Sequence, residues 1–147
     1  MRLLIINGPN LNMLKERNKE IYGDVSYPSL VKSLKNYAKS KGIKISIFQS
    51  NHEGKIIDEI QKNKEKFDGY IINPGALTHY SYAIRDAVEI LKKDVVEIHI
   101  SDITKRESFR NIDVLDGLCA KKIAGEGISG YFKAIDYFIK GSDKNEC

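Results

Sequence analysis

The sequence predicts an α/β fold in which helices cover both faces of a parallel sheet, and three observations predict it. Short apolar runs alternate with helix-period stripes along the whole chain. Turn residues close the apolar runs, as in Asn7-Gly8-Pro9 after the first and Asn73-Pro74-Gly75 after the third. The 147 residues, 41% hydrophobic and 30% charged, suit one domain of ordinary size that buries a core without staples.

Each element has its own signal. Leu3 to Ile6 is an apolar run that reads as a first strand, broken by Gly8-Pro9. Lys15 to Asp24 follows, rich in charge and without periodicity. Ser26 is a cap residue and Pro28 falls in a first helical turn, where proline is tolerated. Leu30, Leu34 and Ala38 then mark one helix face, and Gly42 suits its end. Ile43, Ile45 and Ile47 alternate with polar residues as a second strand. Ser50-Asn51-His52-Glu53 resembles a capping box ahead of the stripe Ile56, Ile57, Ile60. Gly69 to Ile72 is a third strand, and Tyr80, Ala83, Ile84, Ala87, Val88 and Leu91 mark a third helix. Val95 to Ser101 gives a fourth strand and Lys122-Ile123-Ala124 a short fifth. Tyr131, Ala134, Ile135 and Phe138 lie on a last helix.

Strict alternation of strand and helix implies a parallel sheet, and right-handed crossovers make it doubly wound. The expectation is a flavodoxin-like three-layer sandwich with a five-stranded parallel sheet, a single domain over residues 1–147. In such sheets ligands bind at the carboxyl ends of the strands. Asn7-Gly8-Pro9-Asn10, Asn73-Pro74-Gly75 and His99-Ile100-Ser101 stand at those ends.

Composition excludes several classes of function. The net charge is +4, but lysines interleave with acids, which reads as a solvated surface and not a nucleic-acid stripe. The opening Met1-Arg2-Leu3-Leu4-Ile5-Ile6 is too short for a signal peptide or a membrane span, so a cytoplasmic location is expected. Cys119 and Cys147 match no metal or redox spacing, and His52, His79 and His99 lack tight ligand spacing, so no metal is expected.

Several residues are able to carry chemistry, each with a plainer alternative. Glu97, His99 and Ser101 are two apart on a strand and share a side. A carboxylate beside an imidazole fixes its tautomer and raises its basicity, or the two form a structural pair under a helix. Arg17 and Tyr22 lie in the polar segment after the first strand. A tyrosine becomes a base when a guanidinium favours its phenolate, and the segment would then fold over the site as a lid; an exposed loop is the alternative. Asn7, Asn10, Asn12 and Asn73 are amides suited to hydroxyl or enolate recognition, and equally to turns. His79 is either a ligand contact or a helix-capping neighbour. Arg106 and Arg110, four apart, either share a helical face that binds an anion or make surface salt bridges. Gly125-Glu126-Gly127 with Gly130 is a phosphate-loop pattern or a packing requirement of the last helix.

Taken together, these residues resemble a family. Asn7-Gly8-Pro9-Asn10-Leu11-Asn12-Met13-Leu14 with Arg17 and Tyr22-Gly23 is similar to the opening of type II 3-dehydroquinate dehydratases. The resemblance continues through Gln49-Ser50-Asn51-His52-Glu53-Gly54, Asn73-Pro74-Gly75-Ala76 with Thr78-His79, and Arg85-Asp86-Ala87. It closes with Val96-Glu97-Ile98-His99-Ile100-Ser101, Arg106-Glu107, Phe109-Arg110 and Gly130-Tyr131, covering nearly the whole chain.

The resemblance implies the flavodoxin-like fold and a lyase that dehydrates 3-dehydroquinate to 3-dehydroshikimate in the shikimate pathway. It implies that Tyr22 is the base, that Arg17 keeps it ionised, and that Asn10 holds a water on the enolate. His99 is then the acid for the departing hydroxyl, oriented by Glu97. Asn73, His79 and Arg110 bind ring hydroxyls, Ser101 and the Ile100 backbone bind the carboxylate, and Asp86 reaches a neighbouring subunit's site. No cofactor is required, and the implied assembly is a homododecamer, a tetramer of trimers.

The sequence departs from the family pattern in its lid, where Lys15 replaces a glycine and Asn18-Lys19 replace Glu-Pro. A lid without proline is expected to be more mobile. Asp102 stands where Asn is frequent and Asp113 where Ser is frequent, and neither is expected to touch the acid or the base. Three rival readings are weaker. A Schiff-base route to the same product would use one of the many lysines. A phosphate-accepting signalling module needs aspartates where Asn7, Asn10 and Asn73 stand. A small-anion or flavin-binding module without lyase activity needs a first loop of hydroxyls and small residues, unlike Gly8-Pro9-Asn10-Leu11.

Overall fold

Five parallel strands in the order β2-β1-β3-β4-β5 form the sheet of the computed structural model, which describes residues 1–143. The strands are β1 (Arg2–Asn7), β2 (Lys44–Gln49), β3 (Gly69–Asn73), β4 (Val95–His99) and β5 (Lys121–Ala124). The helices are α1 (Lys19–Tyr22), α2 (Tyr27–Ser40), α3 (Glu53–Lys62), α4 (Tyr82–Ile90) and α5 (Ser129–Asp143). This is the flavodoxin-like doubly wound order, with the switch between β1 and β3. Among the described residues no helix is long and apolar enough to cross a membrane. Cys147 lies outside the described residues.

Alternation along each strand divides the core in two. Leu3, Ile5, Ile71, Val96 and Ile98 face α2 and α5, packing on Leu30, Leu34, Ala134 and Ile135. Leu4, Ile6, Tyr70, Ile72 and Val95 face α3 and α4, packing on Ile56, Ile60, Ile84 and Val88. Strands buried on both faces read as continuous apolar runs, which is why β1 and β3 are nearly unbroken Leu and Ile. The cap expected at Ser26 forms, its Oγ accepting from the Ser29 N–H at 3.2 Å. Gly42 has φ +71°, the left-handed turn that ends α2.

Local differences from the sequence reading have local causes. The capping box does not form: Ser50 Oγ accepts from the His52 N–H, while the Glu53 carboxylate accepts from Ser81 Oγ at 2.5 Å. His52 therefore stands at the N-cap of α3 without a side-chain bond. The third helix begins after Ser81, which caps it through Ile84 N–H at 3.0 Å. Tyr80 lies outside that helix and is exposed. A 3-10 turn over Gly75–His79 occupies the stretch between β3 and α4. β4 ends at His99, so Ser101 sits beyond it. Arg106 and Arg110 do not share a helix; Arg106 is extended between 3-10 turns at Ile103–Lys105 and Ser108–Asn111.

Candidate active site

The carboxyl ends of β1, β3 and β4 converge on one cleft. Gly8 is needed there, because a Cβ on it would lie 2.4 Å from Pro74 O where the loops after β1 and β3 touch. The cleft is lined by Arg17, Tyr22, Asn73, His79, His99, Ile100, Ser101, Arg106 and Arg110, with Leu11, Gly75, Ala76 and Ile103. Its volume of about 30 Å³ matches one water, so the side chains fill it.

The lid segment is folded onto this cleft. Leu11 and Leu14 are buried under a 3-10 turn, and Asn18 caps α1 by accepting from the Glu20 N–H at 3.0 Å. That places Tyr22, 8% exposed, with its phenol oxygen accepting from Arg17 Nη2 at 2.5 Å and from Arg106 Nη1 at 2.6 Å. Arg106 Nη1 also reaches Ser101 Oγ at 3.4 Å. Burial pushes the Arg17 pKa down, as do the Arg106 and Arg110 charges, while the Tyr22 oxygen opposes the shift. Three guanidiniums in one cleft form a strongly cationic site.

The same cleft is lined by His99, whose Nε2 lies 2.6 Å from Glu97 Oε1, both side chains almost fully buried. With that nitrogen turned to the carboxylate, Nδ1 is the ring atom left for a ligand. Burial raises the Glu97 pKa, the neighbouring Asp113 carboxylate raises it further, and His99 opposes them. His79 Nδ1 lies 2.7 Å from Ile112 O, so it donates there and leaves Nε2 as an acceptor. Burial pushes the His79 pKa below 6.5 against that hydrogen bond, and the Arg110 and His99 charges lower it further. Arg110 Nε donates to Glu107 Oε2 at 2.5 Å, which aims its remaining guanidinium donors.

Asn73 is fixed by a residue that the sequence suggested only as core. Tyr131 on α5 accepts from Asn73 Nδ2 at 2.9 Å and donates to Asn7 Oδ1 at 2.6 Å, while Asn73 Oδ1 accepts from Gly75 N at 3.2 Å. Helix periodicity identifies Tyr131 as inward-facing but cannot say that its hydroxyl meets two strand ends.

The remaining candidates lie apart from the cleft wall. Asn10, at φ 69°, is exposed and donates its backbone N–H to Asn51 Oδ1 at 3.0 Å. Asp86 is exposed on α4, and Glu97 stands behind His99. The Gly125 N–H donates to His99 O and Ser101 O, and the Gly127 N–H to Ile100 O. Those amides are thus engaged by carbonyls, which favours the packing reading over a phosphate loop.

Asp113 makes no hydrogen bond to His99 or Tyr22 among the described residues, yet it stands close behind the acid: ligand atoms of Glu97, His99 and Asp113 lie within 4.8 Å of one another. It belongs to an irregular turn whose docking no periodicity reveals. The spacing alone would suit a divalent ion, but Lys122 Nζ is 2.9 Å from Asp113 Oδ2 and the Thr78 hydroxyl bonds both carboxylates. An ammonium at that oxygen already supplies the compensating charge.

A parallel α/β sandwich with an arginine-held phenol in one cleft with a carboxylate-braced imidazole defines an α/β enzyme built for proton transfer. Comparison with known proteins is more specific. The family model "Dehydroquinase class II" matches residues 1–139. A 3-dehydroquinate dehydratase of Thermotoga maritima is 51% identical over 140 residues, 95% of this chain and 96% of that protein. One from Lachnoclostridium phytofermentans is 51% identical over 95% of this chain and 97% of its own length. The crystal structure of a type II dehydroquinase from Butyrivibrio crossotus superposes with TM-score 0.90 at 50% identity, covering 93% of this chain and 96% of that one. The chain belongs to the class II dehydroquinase family.

Proposed function

We infer that the protein is a type II 3-dehydroquinate dehydratase, a hydro-lyase that converts 3-dehydroquinate to 3-dehydroshikimate in the shikimate pathway. One observation carries the reading: Tyr22 Oη, held by two guanidiniums at 2.5 and 2.6 Å, shares a cleft with His99, itself braced by Glu97 at 2.6 Å.

The residues divide the chemistry between them. Tyr22 takes a proton from the carbon beside the ketone, its anionic oxygen stabilised by the Arg17 and Arg106 donors. The electron pair moves onto the ketone oxygen as an enolate, in a cleft of positive potential, with Asn10 at the rim to hold a water against it. Collapse of the enolate breaks the bond to the hydroxyl, and His99 delivers the proton that makes it water. Glu97 holds the imidazole in place. Neutral His79, Asn73 and Arg110 bind the ring hydroxyls, and Ser101 with the Ile100 backbone binds the carboxylate. A Schiff-base route would need a lysine at the reacting centre, and the wall that carries both Tyr22 and His99 presents three arginines there. The working form is a cytoplasmic homododecamer in which Asp86 reaches a neighbour's cleft.

The test is ultraviolet detection of the conjugated enone formed from 3-dehydroquinate. The wild-type protein is expected to turn over with no added metal or cofactor. Tyr22→Phe is expected to lose on the order of 10²–10⁴ in kcat while retaining its circular dichroism. Normal turnover by Tyr22→Phe would remove the assigned base, and borohydride trapping of a substrate adduct would replace the enolate route.

A further inference from the structure

Behind the cleft, β5 brings a cation to the rear of the acid. Glu97 and Lys122 are register partners in the parallel β4–β5 pair, so their side chains leave the same face of the sheet. Lys122 Nζ lies 2.9 Å from Asp113 Oδ2 and 3.4 Å from Asp116 Oδ1. Asp113 has only 1% of its side chain exposed, and its Oδ1 accepts from the Leu115 N–H at 2.8 Å. The Thr78 hydroxyl lies 2.9 Å from that same Oδ1 and 3.0 Å from Glu97 Oε1. A hydroxyl has one hydrogen, so Thr78 bridges two buried carboxylates that compete for it.

We propose that Asp113 and Lys122 form a positioning pair that sets the charge on Glu97 and, through it, the protonation of His99. The proposal rests on the dehydratase reading given above. Two buried carboxylates side by side raise one another's cost of ionising. Lys122, beside Asp113, offsets that repulsion. Burial alone would raise Asp113, but its hydrogen bonds with Glu97, Lys122, the Leu115 amide and Thr78 bring it down to about 2. With the Asp113 charge offset by Lys122, less of its repulsion falls on Glu97, which burial already raises and whose negative charge stabilises an imidazolium. The other groups facing this cluster contribute less. Burial, helped by Glu97, Asp113 and Asp116, pushes Cys119 up to about 12, so it stays a neutral thiol. His79 is held neutral, and Asp116 is exposed and already paired with Lys122.

The experiment is the pH profile of kcat and KM for Asp113→Asn, Lys122→Met and the double variant, with 3-dehydroquinate. Its alkaline limb reports loss of the acid's proton. Removing the anion alone lets Glu97 ionise more readily beside His99 and is expected to move that limb to higher pH by about one unit. Removing the cation alone leaves the Asp113 charge uncompensated against Glu97 and is expected to move it to lower pH by a similar amount. The double variant removes both charges and is expected to return near the wild-type limb; with Asp113→Asn it suffices if Lys122→Met does not fold. KM is expected to stay within about twofold, because neither residue lines the cleft. Limbs that stay in place, or that move the same way in Asp113→Asn and the double variant, overturn the positioning role. Absence of wild-type turnover would instead overturn the dehydratase reading itself.

Discussion

The phenol oxygen of Tyr22 is the most constrained atom of the cleft. Arginine cannot accept a hydrogen bond or give up its charge at working pH, so Arg17 and Arg106 both donate to it. Charged donors of this kind make shorter and stronger hydrogen bonds than neutral ones. Arg17 was paired with Tyr22 through the family resemblance, since their spacing in a charged segment reads as well as an exposed loop. Arg106 was legible only as a candidate anion binder with Arg110, because its 84-residue separation from Tyr22 is closed by folding. The donor role has a consequence for kinetics. Arg106→Ala is expected to cost on the order of a hundredfold in kcat, as loss of one preorganised donor does elsewhere. Arg106→Lys is expected to recover only part, since a point charge on a flexible stem does not span Tyr22 and Ser101 together. Steady-state kinetics with 3-dehydroquinate decides it, and full activity in the alanine variant would reduce the clamp to Arg17 alone.

Among the elements, the lid shows how a sequence departure is absorbed. Lys19 occupies the first position of α1, after Asn18 at φ −54° and ψ 115°. That ψ lies on the extended side, away from the helical region that a following proline disfavours, and the first helical position tolerates proline's missing N–H. The side chain lost is a solvent-exposed partner of Asp24 at 3.4 Å, a pair of little worth. Lys19→Pro is therefore expected to stabilise the folded lid by about 0.4–1 kcal/mol through the open chain's lost freedom. Limited proteolysis should be slower between residues 15 and 24 in the variant, and unchanged cleavage would show that the native lid is already as restricted. The same scale separates what the sequence could and could not say. Alternating Ile45 and Ile47, the stripe Leu30-Leu34-Ala38, and the Ser26 cap with Pro28 are set by neighbours in sequence, and they formed as expected. Ser50, Tyr80 and the stretch from Arg106 to Asp113 depend on which distant loop docks against them. Glu53 left the box for Ser81, and Asp113 joined Glu97 through Thr78. Periodicity carries no information about such partners.

Across the whole molecule, the surface beside the cleft is unlike the rest. Tyr80, Tyr82, Phe109 and Ile112 are 64%, 69%, 55% and 56% exposed, the four most exposed of the seven large apolar side chains that face water among the described residues. The turn bearing Phe109 and Ile112 touches His79 of the cleft wall, so these apolar groups lie close to the site. Asp86 stands one helical turn from Tyr82 on the exposed side of α4. Clustered apolar exposure of this kind favours a partner surface, and a symmetric homo-oligomer supplies one at no further cost in sequence. In the proposed dodecamer this face is covered and Asp86 meets the neighbour's substrate. Light scattering is then expected to give a mass near twelve times 16.7 kDa. Tyr82→Glu places a charge in the covered face and is expected to lower both mass and activity together. Asp86→Ala should keep the mass and lose roughly tenfold in kcat/KM, the size expected for one polar contact to substrate. A fully active species of single-chain mass would show that each cleft is complete on its own, and Asp86 would then have no part in it.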